Sequence, residues 1–403
     1  MTDVIGAGNI DQAFIFNPFT AGFSEDPYPY YAKMRAVAPA HEHPLGFWML
    51  SRYEDVSRIY RSEHSVDERR LKKVNPHLGR LSLQRLSLLD LDPPDHTRIR
   101  RLVTKAFSRR STDVLEPLIQ SLVDEALDRI AAAGTVDLVA ELASPFPLAV
   151  ISKLLGMPRF EHTRVRELTE TLGRAVEPFP DPNLQQEILS ANDELTAIIR
   201  EVVNWKRTNP GNDLISALMA VEDDGDVLAE DEMIAQILLL YAAGHETTVN
   251  LVSGGVLALL RHPDQLRLLQ EDPGLIVNAV DELLRYDSPA QFGKRITIEP
   301  FYAQGREIPP GTFVITCLGA ANRDPDFWGA DAAELHLDRP NAHQSFSFGG
   351  GIHRCIGAGL ARQEAQLALG SFVRRFRQPA VERVRWNGRM NLRGPAELVV
   401  SVQ

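Results

Sequence analysis

The run MIAQILLLYAAGHETTVNLVSGGVLALL, Met233 to Leu260, constrains the fold more than any other stretch of the chain. It is long and apolar enough to cross a bilayer. His245, Glu246 and Asn250 interrupt its middle, and ionisable groups at membrane depth are costly. The run therefore reads as a long helix through a protein interior, with no membrane span. The start, MTDVIGAGNIDQAF, lacks a basic segment followed by an apolar one, so the expectation is no secretory signal and a cytoplasmic protein.

The rest of the chain is patterned to match. Leu115 to Ala132 places Leu115, Leu118, Leu122, Ala126 and Leu127 at three- and four-residue steps, one apolar helix face, and Gly134 ends it. Similar patterns cover Asp95 to Ser108, Leu184 to Arg207, Asp231 to Arg261, Leu275 to Tyr286 and Gly357 to Arg375. Strand signals are short: Gly46 to Ser51, Lys294 to Ile298 and Thr312 to Leu318, the last two separated by the turn Ile308 to Thr312. No Gly- or Ser-rich linker, internal repeat or low-complexity segment divides the 403 residues. The expected architecture is mainly α, a single large domain over 1–403 with a long central helix and small β-sheets, and a loosely ordered N-terminus over 1–17. Ser62 to Pro93 and Phe179 to Asn183 lack a clear period and are candidate mobile loops over a binding site. A formal charge of −11 argues against non-specific nucleic-acid binding.

The two cysteines, Cys317 and Cys355, are too few for a disulfide framework. Cys317 lies in an apolar run and reads as core. Cys355 sits in FSFGGGIHRCIGAGLARQEA, behind Gly349, Gly350 and Gly351, which let the backbone bend and approach something bulky. A helix follows it, so the sulfur lies near a helix N-terminus, where free N–H groups and partial positive charge favour a thiolate. His353 and Arg354 add donors or charge. Structural zinc wants four N or S ligands and catalytic zinc three, and no CxxC or HxxxH accompanies Cys355. A lone thiolate points to a metal whose other ligands come from a macrocycle, and haem fits.

The pattern Phe348-x-x-Gly351-x-His353-x-Cys355-x-Gly357 resembles the haem-binding loop of the cytochrome P450 superfamily. The resemblance implies haem b (iron protoporphyrin IX) with Cys355 as the axial metal ligand, His353 at a propionate, and Phe348 packed beside the sulfur. Three further motifs agree. In AAGHETT, Ala242 to Thr248, Gly244 opens space beside the helix and Thr247 can bond back to the Ala243 carbonyl, a notch able to hold dioxygen. By resemblance Glu246 and Thr247 are the catalytic acid–alcohol pair that delivers protons. Glu282 and Arg285 share a helix face; the resemblance makes them a buried structural lock with Arg339. In DPPDHTRIRR, His96 and Arg100 lie four apart on one face, and by resemblance they join Arg295 and His353 around the propionates. Arg98 and Arg101 are expected on an exposed face, outside the site.

The function so implied is a haem-thiolate monooxygenase. It inserts one oxygen atom from O2 into an apolar small molecule: a terpenoid, steroid, fatty acid, polyketide or xenobiotic. No dinucleotide-binding GxGxxG and no cysteine cluster is present, so electrons are expected from a separate ferredoxin and its reductase. Arg354, Arg362, Lys105, Arg109 and Arg110 are the expected basic docking face. A peroxygenase on the same fold would have little need of the acid–alcohol pair. A haem-based sensing protein needs neither that pair nor an electron-donating thiolate. Expected substrate contacts are Val66 to Leu91, Leu172 to Ile188, Ala242 to Thr247 and Pro289 to Phe292, with Gln291 either a polar contact or solvent-facing.

Overall fold

The computed structural model describes residues 14–71, 86–107, 112, 114–158, 162–178 and 182–402; the readings that fall on 1–13, 72–85, 108–110 and 179–181 lie outside these. The central helix spans Glu230–Arg261. Glu230, Asp231 and Glu232 fill its first turn, where carboxylates complement the helix dipole, and Glu232 Oε2 accepts from the Ala229 N–H at 2.9 Å. Apolar on nearly every face, it is covered by the helices Pro145–Leu155, His162–Gly173, Gln185–Thr208 and Ala358–Arg375. Gly255 permits a close approach of the Ala358–Arg375 helix: a Cβ there would lie 3.1 Å from Leu369 Cδ1.

The periodicities translate into helices Asp95–Ala106, Glu116–Ala133, Gln185–Thr208, Ile276–Tyr286 and Ala358–Arg375, each within a residue or two of expectation. The three strand signals become neighbours in one sheet. Its order is Ala40–Glu42, Trp48–Leu50, Phe313–Cys317, Phe292–Ile296, with Trp48 opposite Val314 in parallel and Arg295 opposite Val314 in antiparallel register. Cys317 is fully buried there, as read from the sequence. A second sheet joins Thr135–Asp137, Pro395–Ser401 and Ala380–Trp386, and a small hairpin pairs Phe301–Ala303 with Arg306–Ile308.

Glu282 and Arg285 are both fully buried, and the pair is bidentate: Arg285 Nε and Nη2 donate to Glu282 Oε2 and Oε1 at 2.6 and 2.7 Å. Arg285 also donates to the carbonyls of Asn322, Ala332 and Glu334, and Arg339 Nε reaches Glu282 Oε1 at 3.1 Å. The weak surface pair that this spacing usually gives is here a desolvated three-residue lock. It anchors the 322–347 segment that leads to Cys355: Asn322 accepts from the Phe346 N–H at 2.7 Å and donates to Ser347 Oγ at 2.9 Å.

Candidate active site

A cavity of about 470 Å³ lies between the central helix and the segment carrying Cys355. The cysteine N–H donates to the Phe348 carbonyl at 2.9 Å, closing the loop on itself. Two glycines are required by space. Gly351 has φ +67°, and a Cβ there would collide with the Tyr60 carbonyl oxygen; one on Gly350 would come within 2.9 Å of the Tyr60 ring. Phe348 is held by the Arg362 guanidinium, 4.6 Å over its ring. The accessible surface of Cys355 faces the cavity. Enclosure by the surrounding protein pushes its thiol pKa up, against the pull of the Gly357 N–H and of Arg100, Arg362 and Arg354. The helix proper begins only at Ala358, so its N-terminus does not outweigh desolvation as the sequence suggested.

One end of the cavity gathers four basic residues from three segments. His96 and His353 face each other with ring centroids 4.2 Å apart. His96 is buried with neither ring nitrogen hydrogen-bonded, while His353 Nδ1 meets the Leu88 carbonyl at 3.2 Å. Burial, reinforced by Arg100 and Arg295, holds His96 down to about 4; burial together with Arg295 and His96 holds His353 down to about 3. Arg100 Nη2 donates to the Arg354 carbonyl at 2.7 Å. Arg295 lies 4.3 Å over the Tyr60 ring and donates to the carbonyls of Lys294 and Gly350. No carboxylate among the described residues pairs with either arginine. A buried arginine, a half-buried one and an orphaned imidazole are costly alone. They fit a group that brings two carboxylates, and beside a glycine-lined wall and a cavity-facing thiol they suit haem.

A family model described as Cytochrome P450 matches residues 42–387. The chain belongs to the cytochrome P450 family. It is 37% identical to cytochrome P450 107B1 of Saccharopolyspora erythraea over 95% of this chain and 96% of that one. It is 40% identical to the vitamin D(3) 25-hydroxylase of Pseudonocardia autotrophica over 87% of each. Among solved structures it resembles the Bacillus subtilis 168 bacillaene polyketide synthase cytochrome P450 PksS, with TM-score 0.88, 32% identity, and 96% and 100% of the two chains covered. As a P450 it is a haem-iron monooxygenase that takes a substrate, O2 and electrons from redox partners. Among its described helices, none is long and apolar enough to cross a membrane.

The central helix of this P450 brings Ala243, Gly244, Thr247 and Thr248 to the cavity. Thr247 Oγ1 donates to the Ala243 carbonyl at 2.8 Å, as its position predicts. Gly244 does more than open a notch: a Cβ there would lie 3.0 Å from Ile151 Cδ1, so glycine is what lets the Pro145–Leu155 helix close in. Glu246 is turned off the cavity wall, with no hydrogen bond to Thr247, and its carboxylate forms an ion pair with Arg389. Burial pushes its carboxyl up to about 7, with Arg389 pulling the other way.

The apolar lining includes Leu88 and Leu89, Leu172, Ala175 and Val176, and Pro289, Ala290 and Phe292, all within the expected contact regions, together with Leu239 and Leu392, which were not expected. Gln291 fills neither role foreseen for it. It is fully buried and donates to the Ser288 carbonyl at 2.7 Å, in the turn just before the strand whose first residue, Phe292, lines the cavity. The docking face also needs correction. Arg362 Nε pairs with Asp281 at 2.7 Å and Lys105 with Asp223 at 3.1 Å, while Arg98 and Arg101 are paired by Asp226 in the same acidic turn. Of that face only Arg354 remains without an ion pair among the described residues. The sequence reading also missed an acid that lines the cavity. Glu364, buried on the Cys355-side helix, accepts from Thr248 Oγ1 at 3.4 Å, and burial holds its carboxyl well above the usual range. The signal was present: Leu360, Glu364 and Ala368 recur at four-residue steps, an acid within an apolar stripe.

Proposed function

We propose that this P450 hydroxylates or epoxidises an apolar small molecule, using haem b bound through Cys355 and electrons from a separate ferredoxin. The observation that carries this reading is a cavity-facing cysteine opposite a cluster of uncompensated cations. Bound haem supplies O2 activation, favoured by electron donation from a cysteine thiolate.

The chain's own residues do the rest. Cys355 Sγ is the donor to iron. His96, Arg100, Arg295 and His353 offer hydrogen bonds and charge to the two propionates, and with that charge nearby the imidazoles regain affinity for protons. Gly350 and Gly351 let the cysteine loop pack against Tyr60, which sets the position from which Cys355 would hold the haem. Phe348, clamped by Arg362, excludes water from the sulfur. On the opposite wall Ala243 and Gly244 leave room for O2. The Thr247 hydroxyl, parked on the Ala243 carbonyl, is the proton-bearing group nearest that room, and Glu246 is the acid that recharges it.

The lining supports an apolar substrate held by area and shape. Asn391, the most prominent amide in the ceiling, has its side chain already engaged, accepting from Phe292 N–H and donating to the Val176 carbonyl. The vitamin D(3) 25-hydroxylase and the bacillaene polyketide synthase P450 among its relatives support a steroid-like or polyketide substrate. A ferredoxin donor is supported by the composition, since two separated cysteines cannot hold an iron–sulfur cluster. With Lys105 and Arg362 already paired, docking centres on Arg354. The reaction is placed in the cytoplasm, where reduced ferredoxin is available.

Thr247→Ala tests the proton role. Haem and substrate binding should persist, while product per electron pair falls on the order of 10-fold and peroxide rises to match. Full coupling in that variant would remove Thr247 from the mechanism.

A further inference from the structure

Tyr60, the penultimate residue of the helix Tyr53–Arg61, fills a slot that three glycines from two segments keep open. A Cβ on Gly293 would collide with its phenol oxygen, one on Gly350 would press on its ring, and one on Gly351 would strike its carbonyl oxygen. Gly293 lies on the strand that carries Arg295, and Gly350 and Gly351 lie in the loop that carries Cys355. The phenol and Thr316 Oγ1 are hydrogen-bonded at 2.7 Å, and Thr316 stands opposite Gly293 in the sheet. Past the helix the chain stays on the same strand, where Ser65 and Ile296 exchange backbone hydrogen bonds at 2.9 and 2.7 Å. The segment bearing Tyr60 is thus fastened beside the Arg295 strand at two points.

The ring also has a chemical task. Arg295 is buried, and its guanidinium lies 4.3 Å from the centre of the Tyr60 ring. Of the five N–H groups that an arginine carries, one here donates to the Lys294 carbonyl and one to the Gly350 carbonyl. The remaining three have no partner among the described residues. A carboxylate beside Arg295 would occupy those donors. An aromatic face offsets part of the buried charge and leaves them free. The bond to Gly350 carries the position of the guanidinium across to the cysteine loop.

We infer that Tyr60 is a positioning residue for the cofactor: its ring holds the Arg295 guanidinium against the cysteine loop with donors free, and so fixes the spacing between the propionate ligand and the iron ligand. That role rests on the reading of Arg295 and Cys355 as those ligands. The alternative is that Tyr60 fills the slot and does no more.

The test compares haem-loaded wild type, Tyr60→Phe, Tyr60→Leu, Arg295→Met and the double variant Tyr60→Leu/Arg295→Met. Two quantities are read, the rate of haem transfer to excess apomyoglobin and the ferric–ferrous midpoint potential, with the urea midpoint as a control on folding. Tyr60→Phe keeps the aromatic face and should release haem within about 3-fold of wild type. Tyr60→Leu fills the slot without that face, and release should quicken on the order of 10-fold, the size of a desolvated cation–π contact. Its midpoint should fall, because propionate charge that Arg295 no longer offsets favours the ferric state. The Tyr60 effect should vanish in the Arg295→Met background, since residues that act through one contact are not additive. Tyr60→Met is made alongside, so that a leucine variant that fails to fold leaves a second ring-free protein to measure.

Release and midpoint unchanged in the ring-free variants would overturn the positioning role. So would a Tyr60 effect of full size in the Arg295→Met background, which would make the ring packing alone. If Arg295→Met changed neither quantity, the propionate assignment of Arg295 would fall and the role of Tyr60 with it. A wild-type protein that took up no haem would instead defeat the haem-thiolate reading itself, and the role of Tyr60 along with it.

Discussion

Cys355→Ser is expected to cut product formation by at least about 10³-fold, on the order of 4 kcal/mol of transition-state stabilisation, in protein that still takes up haem. Serine preserves the shape of the loop, because the hydrogen bond that closes it runs from the backbone N–H of residue 355 to the Phe348 carbonyl and owes nothing to sulfur. The four basic residues at the far edge of the cavity are untouched, so haem retains its carboxylate contacts. What is lost is the soft, electron-rich donor. The check is product formation per haem with reduced ferredoxin, alongside a haem count on the same sample. Activity within 10-fold of wild type at full loading would mean that the sulfur is not the ligand that matters.

Removing one partner of the buried lock should have the largest effect on stability. Glu282→Ala leaves Arg285 and Arg339 facing each other with no carboxylate between them, and a backbone N–H from His336 without its acceptor. Stranding a buried charge costs about 3–5 kcal/mol, a large share of the margin by which a folded chain exceeds its unfolded state. The damage should reach the site. Arg285 secures the carbonyl of Asn322, and the Asn322 side chain fixes Phe346 and Ser347 just before the cysteine loop. Haem retention should therefore fall with the urea midpoint. Replacing Glu282 and Arg285 together by leucine and methionine should cost less than the single change, since no charge is left unpaired at that end of the lock. Equal or greater loss in the double variant would show that the lock contributes net attraction and not merely mutual neutralisation.

How far each feature was legible in the sequence depended on whether its partners were near in the chain. The central helix was readable because a run apolar on all sides has few alternatives. The Gly349–Gly357 loop was readable because its glycines, histidine and cysteine sit together, and the folded geometry gives the spacing a reason: Tyr60 leaves no room for a side chain at Gly351. The lock was readable from Glu282 and Arg285, one turn apart. Features made by distant pairings were not. Lys105 reads as a free cation until the Glu222–Asp226 turn folds beside it. Arg389 has no local signal at all, since its meaning comes from Glu246 and Glu170 on other helices. The Ala380–Trp386 strand was invisible for a different reason: bulges break its register and exposed residues fall on both faces, so the two-residue alternation that marks a strand is absent. Gln291 was misjudged because polarity suggested a wall or a surface, whereas its amide serves a buried turn.

The measurement that tests the central claim most directly is the visible difference spectrum of the dithionite-reduced protein with and without carbon monoxide. Haem bound through the Cys355 thiolate predicts a strongly red-shifted Soret band, and its loss in Cys355→Ser. A fully haem-loaded sample that gives only the band of an imidazole- or thiol-ligated haem would contradict the assignment of Cys355 as the thiolate donor, and with it the mechanism proposed here.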